Sequence, residues 1–358
     1  VDGKEYVDLL AGIAVAGLGH CNDEVCEALE RQSRKLWHVS NLFYQQEQLD
    51  LAKLLLSTSH HGKAFFCNSG AEANEACIKL ARRYMRTVKQ RDAYEIITLG
   101  GCFHGRTLGA LAATGRESLS KGFTPLPEGF KQVPAGDLEA LRAAITPATA
   151  AVLVEVVQGE GGVVPLPADY LHGVQALCRE KNVLFLCDEV QAGLCRTGKF
   201  WAFQNYNLQP DAISMAKSLA NGLPMGAMLA TDEMARGFEA GSHATTFGGN
   251  PVCCAGALAV LDTMDEAFLA QVRERAAQLR AGLAALPHVQ QVSGLGLMVG
   301  IAFDDGIKAA DVRAACEKQG LLVLTAKTRL RLLPPLILTA EDVNAALDTL
   351  RTVLEKCV

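Results

Sequence analysis

The sequence has no apolar run long enough to cross a bilayer. Stretches such as Ala11–Leu18 and Val252–Leu261 stop far short of the ~20 residues a membrane span needs. No signal peptide opens it, and it has no internal repeat, low-complexity tract or long linker. It also lacks a strong excess of charge of either sign. Its 34 basic and 39 acidic residues leave a net charge of −5, which argues against a broad basic surface for nucleic acid or anionic lipid. Membrane, fibrous and disordered classes are therefore set aside. There is no initiating methionine: the chain opens Val1-Asp2-Gly3-Lys4, and we expect it to begin inside a longer reading frame.

One further absence bears on redox chemistry. The chain carries 12 cysteines, yet no C-x-x-C occurs. Most sit in apolar runs, as Cys187 does in Val-Leu-Phe-Leu-Cys. They are expected to be small buried hydrophobes in a reducing cytoplasm, with no disulfide framework and no metal.

What is present is a core. Of 358 residues, 49% are hydrophobic, enough for two domains at roughly 150 residues each. Short apolar runs alternate with helical periodicity. Strands are expected at Lys63–Cys67, Glu95–Leu99, Ala151–Val157, Val183–Cys187, Ala212–Ala216 and Met225–Ala230, with helices such as Ala71–Tyr84 and Ala168–Lys181 between them. That alternation predicts an α/β fold whose mostly parallel central sheet has helices on both faces. The last hundred residues differ. A long helix over Val252–Leu286 leads to Val292–Phe303, a helix near Ala309–Gln319, and strands at Leu321–Thr325 and Arg329–Leu338. A final helix opens with a capping-box-like Thr339-Ala340-Glu341-Asp342. This is a smaller α+β block.

Several residues stand where chemistry is done. Asp188 ends an apolar strand, which places a carboxylate at the edge of a buried sheet, where ligands collect; a helix cap or a loop ion pair is the plain alternative. Lys217 ends another strand, Ala-Ile-Ser-Met-Ala, and precedes the Gly-rich turn Gly222–Gly226. A lysine leaving a buried strand can lose solvation and act as an amine nucleophile, although most lysines are solvated surface groups. Asn68-Ser69-Gly70-Ala71-Glu72-Ala73-Asn74 follows a strand and opens a helix, so its backbone N–H groups can approach an anion. A second candidate anion contact is His243-Ala244-Thr245-Thr246-Phe247-Gly248-Gly249-Asn250. Phe103-His104-Gly105-Arg106-Thr107 offers an aromatic face and a guanidinium able to grip a carboxylate. Glu160 is one acid that could partner an arginine in Arg329-Leu-Arg331, a strand too apolar to leave it alone. By contrast, Gly294-Leu-Gly296-Leu-Met-Val-Gly300 precedes a strand and has the wrong spacing for a dinucleotide loop. His60-His61 lacks metal-ligand company and is expected in a loop.

Together, Leu184-Phe-Leu-Cys-Asp188-Glu-Val-Gln191-Ala-Gly193, Arg196-Thr-Gly198, Pro210-Asp211 and Ala216-Lys217 resemble the signature of class III pyridoxal-phosphate aminotransferases. The resemblance runs from Asp2-Gly3-Lys4 to Pro334-Pro335. Within that class, Trp37-His38-Val-Ser40-Asn41-Leu42-Phe43-Tyr44 and Phe103-His-Gly-Arg106-Thr are most similar to acetylornithine aminotransferases. The resemblance implies a fold type I transferase with an N-terminal segment (1–42) packing with a small domain (266–358), and a large cofactor-binding domain (43–265). It implies that Lys217 and Asp188 are catalytic, Lys217 bonding pyridoxal 5′-phosphate and Asp188 pairing with its ring nitrogen. Gln191 then approaches the ring hydroxyl, Phe103 stacks on the ring, and Gly70 and Ala71 hold the phosphate. Thr246 reaches the phosphate of the partner in a homodimer. Arg106 and Thr245 face the substrate, and Arg331 takes the carboxylate beside the reacting carbon with Glu160 as its partner.

The implied reaction moves the terminal amine of N2-acetylornithine to 2-oxoglutarate in cytoplasmic arginine biosynthesis. Ornithine, succinylornithine, succinyldiaminopimelate and 4-aminobutyrate aminotransferases are the alternatives, sharing the cofactor residues and differing in how the far end of the substrate is held. A catalytically silent cofactor-binding protein is disfavoured because Lys217 and Asp188 are both present. The chain departs from the pattern at Cys195, Ser218 and Ala244, where glycine is usual, and at Val156, where proline is. None removes a chemical group.

Overall fold

The computed structural model describes residues 3–356. Val1, Asp2, Cys357 and Val358 lie outside the described residues, so the first residue of the Asp2-Gly3-Lys4 match and the last cysteine receive no structural account.

A seven-stranded sheet forms the centre. Its strands are β1 (Lys63–Cys67), β2 (Glu95–Leu99), β3 (Phe130–Val133), β4 (Thr149–Val154), β5 (Leu184–Asp188), β6 (Ala212–Met215) and β7 (Gly226–Ala230). Across the sheet the order is β1-β7-β6-β5-β4-β2-β3, with β7 antiparallel to both its neighbours and every other pairing parallel. The strands β4 and β5 are buried at every residue, as expected for a sheet covered on both faces.

The pleat sorts their side chains by alternation. Ala151, Leu153, Leu184 and Leu186 face one apolar cluster, which includes Cys77, Leu80 and Tyr84 of the helix Gly70–Thr87. Val152, Val154, Phe185 and Cys187 face the other, with Leu171 and Val174 of the helix Ala168–Lys181. Truncating one such leucine to alanine costs about 2–5 kcal/mol.

Strand β3 was not anticipated. It is an edge strand of sequence Phe-Lys-Gln-Val, with only Val133 buried, so it carries almost no apolar signal. The segment Ala151–Val157 ends early, because the chain leaves the sheet at Glu155.

The long helix expected over Val252–Leu286 is two helices, Pro251–Asp262 and Glu266–Ala284. Asp265 breaks it by accepting the Phe268 N–H at 2.8 Å, an N-cap that starts a new axis. Val292–Phe303 is a hairpin, β8 (Val289–Leu295) and β9 (Met298–Phe303). It turns at Gly296-Leu297, which leaves the glycine run no role in nucleotide binding. With β10 (Leu324–Ala326) and β11 (Arg329–Leu332) they form an antiparallel sheet in the order β8-β9-β11-β10. The helix Ala340–Glu355 closes the fold, started by the reciprocal Thr339–Asp342 cap. Near the other terminus, Val7–Asp8 pairs in parallel with Leu321–Leu322.

Candidate active site

Because β4, β5 and β6 run in parallel, their carboxyl ends open on one side, and the candidate residues gather there around a cavity of about 410 Å³. Gly70, Ala71, Phe103, Arg106, Asp188, Gln191 and Lys217 all line it.

Asp188 is the last residue of β5 and is buried. One carboxylate oxygen lies 2.8 Å from His104 Nδ1 and accepts from Asn74 Nδ2 at 2.7 Å; the other accepts the Val190 N–H at 2.9 Å. Asn74 is oriented in turn, its amide oxygen accepting the Ser214 hydroxyl at 2.6 Å and its amide nitrogen also donating to the His104 carbonyl at 2.8 Å. Ser214 stands beside Asp188 in the β5–β6 register. Burial opposes a charge on the His104 ring, but Cys102 and the Asp188 carboxylate beside it lift its pKa well above the usual histidine range. A carboxylate has about four acceptor sites, and three are taken here. An acceptor position on a fixed anion therefore remains at the cavity wall.

Lys217 follows β6 in a left-handed backbone conformation, φ +51°, unusual for a residue with a side chain. Burial pulls its pKa down to about 8, and the nearby Arg331 charge pulls the same way, against Asp188, Glu160 and Glu155. An amine so placed is partly neutral near physiological pH.

The helix Gly70–Thr87 begins at the cavity, with Ser69 as its cap accepting the Glu72 N–H at 3.2 Å. A side chain at Gly70 would collide with Val190, 2.6 Å from its Cβ position. The helix start thus sits directly against the turn after Asp188 and presents its N–H groups to the cavity. Phe103 is half-buried, and the Arg106 guanidinium stands 5.6 Å over its ring. Gln191 packs on Gly159, where a Cβ would meet its amide oxygen at 2.0 Å.

Glu160 and Arg331 are brought together as an ion pair beside the cavity and are not part of its wall. Arg331 is 1% exposed, projects from β11, and also reaches Gln191 at 3.5 Å. Thr245 and Thr246 do not line the cavity. The Thr245 hydroxyl accepts from Gly248 N at 3.1 Å and from Asn68 at 3.4 Å, while Thr246 is exposed.

Glu155 went unremarked in the sequence. It lines the cavity just beyond β4 and binds the Phe103 N–H at 3.0 Å. Burial raises its pKa to about 7, with Asp188 adding and His104 opposing. Asn74 falls in the segment expected to approach an anion, but its part in holding Asp188, and that of Ser214 behind it, was not foreseen; the available signal was a polar residue inside an otherwise apolar helix face and strand.

Elsewhere, eight of the described cysteines are buried, and burial pushes Cys67 and Cys195 up to about 12. His60 and His61 stack at 4.2 Å and both contact the Pro210 carbonyl. Among the described residues no group of His, Cys, Asp and Glu could hold a metal ion, and no helix is long and apolar enough to cross a membrane.

Known proteins resemble this chain over nearly its whole length. The family model "Aminotransferase class-III" matches residues 1–354. The chain belongs to the class-III aminotransferases. It is 48% identical to the acetylornithine aminotransferase of Myxococcus xanthus, over 96% of this chain and 87% of that one. Among solved structures, the ornithine aminotransferase of Toxoplasma gondii ME49 superposes with a TM-score of 0.94 at 32% identity, covering 99% of this chain and 87% of that one. The N-acetylornithine aminotransferase of Stenotrophomonas maltophilia K279a has a TM-score of 0.86 at 36% identity, covering 99% and 92%.

The family's cofactor is pyridoxal 5′-phosphate, and the cavity fits it. There is a fixed anion with an acceptor position for a pyridinium N–H, a helix N-terminus at Gly70 and Ala71 on the cavity wall for a phosphate, and an amine of depressed pKa for an aldehyde.

Proposed function

We propose that this aminotransferase takes the terminal amine of N2-acetylornithine and delivers it to 2-oxoglutarate, yielding N-acetylglutamate 5-semialdehyde and glutamate in arginine biosynthesis. The observation that carries this reading is the Glu160–Arg331 pair beside Lys217. The two substrates make opposite demands on one place. Acetylornithine reacts at an amine with no carboxylate beside it, whereas 2-oxoglutarate brings a carboxylate next to its reacting carbon. A buried arginine that parks on an acid for one partner and releases it for the other meets both demands. The curated relatives bear the same activity in their names.

Pyridoxal phosphate, when bound, supplies an electron sink for the carbanion. Asp188, held by His104 and Asn74, would pair with the ring nitrogen and keep a proton there. Of the other cavity-lining residues, Gln191 would hold the ring hydroxyl, Phe103 would cover a ring face, and the Gly70 and Ala71 amides would hold the phosphate. Lys217, buried and partly neutral near physiological pH, would be the amine that holds the cofactor's aldehyde, and when free of it would serve as the base and acid that moves a proton at the reacting carbon. Arg106, exposed at the mouth, takes the far carboxylate of acetylornithine; Thr245 is also read as facing substrate, although it does not line this chain's own cavity.

The chain acts as a homodimer in the cytoplasm, with Thr246 reaching the partner's phosphate; its exposure and absence from this cavity's wall support that placement. Residues 43–265 form the large unit. Residues 1–42 divide their packing: Val7–Asp8 pairs with Leu321–Leu322 of the small unit, 266–358, whereas the helix Asp23–Ser33 lies on Pro251–Asp262 of the large unit and Asn250 donates to the Trp37 carbonyl, so the expected packing with the small unit alone is corrected; the helix break at Asp265 supports the boundary. The test is a panel of half-reactions with acetylornithine, ornithine, succinyldiaminopimelate and 4-aminobutyrate. The largest kcat/KM belongs to acetylornithine; a larger value for another donor reassigns the substrate.

A further inference from the structure

Arg196 is the other buried arginine among the described residues, 1% exposed, and has no part in the chemistry assigned to the cavity. It stands apart from Arg331 in having no acidic partner. Its Nη1 donates to two main-chain carbonyls, Leu297 at 3.2 Å and Pro334 at 2.5 Å, while Nε and Nη2 are buried without a partner. Burial pulls its pKa down to about 9. A buried guanidinium with no counter-charge is a poor stabiliser, because an apolar side chain of similar volume would pack there without the desolvation cost. Stability therefore does not explain it.

Its two acceptors do. Leu297 lies in the turn that leads into β9, and β9 pairs with β11 through Val299–Leu332 and Gly300–Arg331. Pro334 lies three residues past Arg331, where β11 exits. Arg196 thus holds the strand bearing Arg331 from both sides. The grip is doubled by the main chain, since the Leu297 N–H donates to the Arg196 carbonyl at 3.0 Å. Residue 296 has to be glycine for this, because its backbone is left-handed (φ +53°) and a Cβ would lie 2.5 Å from that carbonyl. At the other end, Arg196 belongs to the loop that leaves β5 after Asp188 and carries Gln191, which Arg331 also touches. Leu194 and Cys195 in that loop have φ of +54° and +66°, so the chain is held in a strained path to deliver Arg196.

We propose that Arg196 is a positioning residue that sets Arg331 for the substrate carboxylate, and so determines specificity for the 2-oxo acid half of the reaction. This rests on the two-substrate reading above. The two halves demand different precision. Neutralising the Arg331 charge with Glu160 tolerates displacement, whereas a two-pronged grip on a carboxylate does not. Loss of Arg196 is therefore expected to damage one half-reaction and spare the other.

The test uses Arg196→Met, which keeps volume and removes the donors, and Arg196→Lys, which keeps one donor. Each half-reaction is followed in single turnover, glutarate binding to the cofactor-free protein is measured by calorimetry, and urea unfolding is run alongside. In Arg196→Met the apparent dissociation constants for 2-oxoglutarate and glutarate rise roughly tenfold or more, because small misplacements of a binding group are costly. The acetylornithine half-reaction stays within about twofold, the unfolding midpoint does not fall, and Arg196→Lys restores part of the loss. Equal loss in both halves, or no loss in either, would overturn the proposal while leaving the parent reading intact. A wild-type enzyme that does not turn over 2-oxoglutarate overturns the parent reading and this one with it.

Discussion

Lys217 and Asp188 approach the same cavity from neighbouring strand ends, and the environment of each defines its use. For Lys217, burial and the Arg331 charge bring the pKa to about 8 from an ordinary 10.5. The neutral amine, the form that attacks an aldehyde, therefore accumulates as pH rises through about 8. Uptake of pyridoxal phosphate by the stripped protein is expected to quicken over that range and to level off well below 10.5. In Arg331→Met one positive neighbour is gone and Glu160 is left unpaired, so the profile moves to higher pH; stopped-flow absorbance reads it. At the acidic partner, Glu160→Ala leaves Arg331 permanently free. The ratio of kcat/KM for acetylornithine to that for glutamate should then fall by about tenfold or more, since an unneutralised buried charge beside a neutral substrate end is costly. An unchanged ratio would remove Glu160 from specificity. Both strand-end residues were legible in the sequence because a charge at the end of an apolar run has few reasons to be there. The parts of Glu155, Asn74 and Ser214 were not, because each looks like an ordinary polar member of a strand or helix until the fold brings it against Asp188 or Phe103.

Elements were legible where burial writes an apolar signal and hidden where it does not. The fully buried β4 and β5 and the helix Ala168–Lys181 announced themselves, whereas the half-solvated edge strand β3 did not. A single hydrogen-bonding side chain also outweighed periodicity. Between Asp262 and Glu266 the apolar pattern runs on, but Asp265 caps a new helix and splits one predicted element into two. The same physics makes a clean prediction at the last helix. Thr339 accepts the Asp342 N–H at 3.1 Å and Asp342 accepts the Thr339 N–H at 3.0 Å, and neither residue lines the cavity. Thr339→Ala should lower unfolding free energy by about 1 kcal/mol in urea titration and leave both half-reactions unaltered.

At the scale of the whole molecule, a site assembled from two chains makes a distinctive prediction. Lys217→Ala lacks the amine, and Thr246→Ala lacks the contact proposed for the partner's phosphate. In a mixed dimer one site has both residues intact. Mixing the two inactive or weakened variants after unfolding and refolding should yield more activity than either alone, and a mixture no better than its parts would contradict a shared site. The central claim is that one buried arginine serves two unlike substrates by exchanging partners. The most direct measurement compares the two half-reactions of the wild-type enzyme in single turnover, with the donor panel on one side and 2-oxoglutarate on the other. The account predicts acetylornithine as the donor of highest kcat/KM, together with rapid reaction of 2-oxoglutarate that is lost in Arg331→Met while acetylornithine still reacts. Equal loss of both halves in that variant would contradict it.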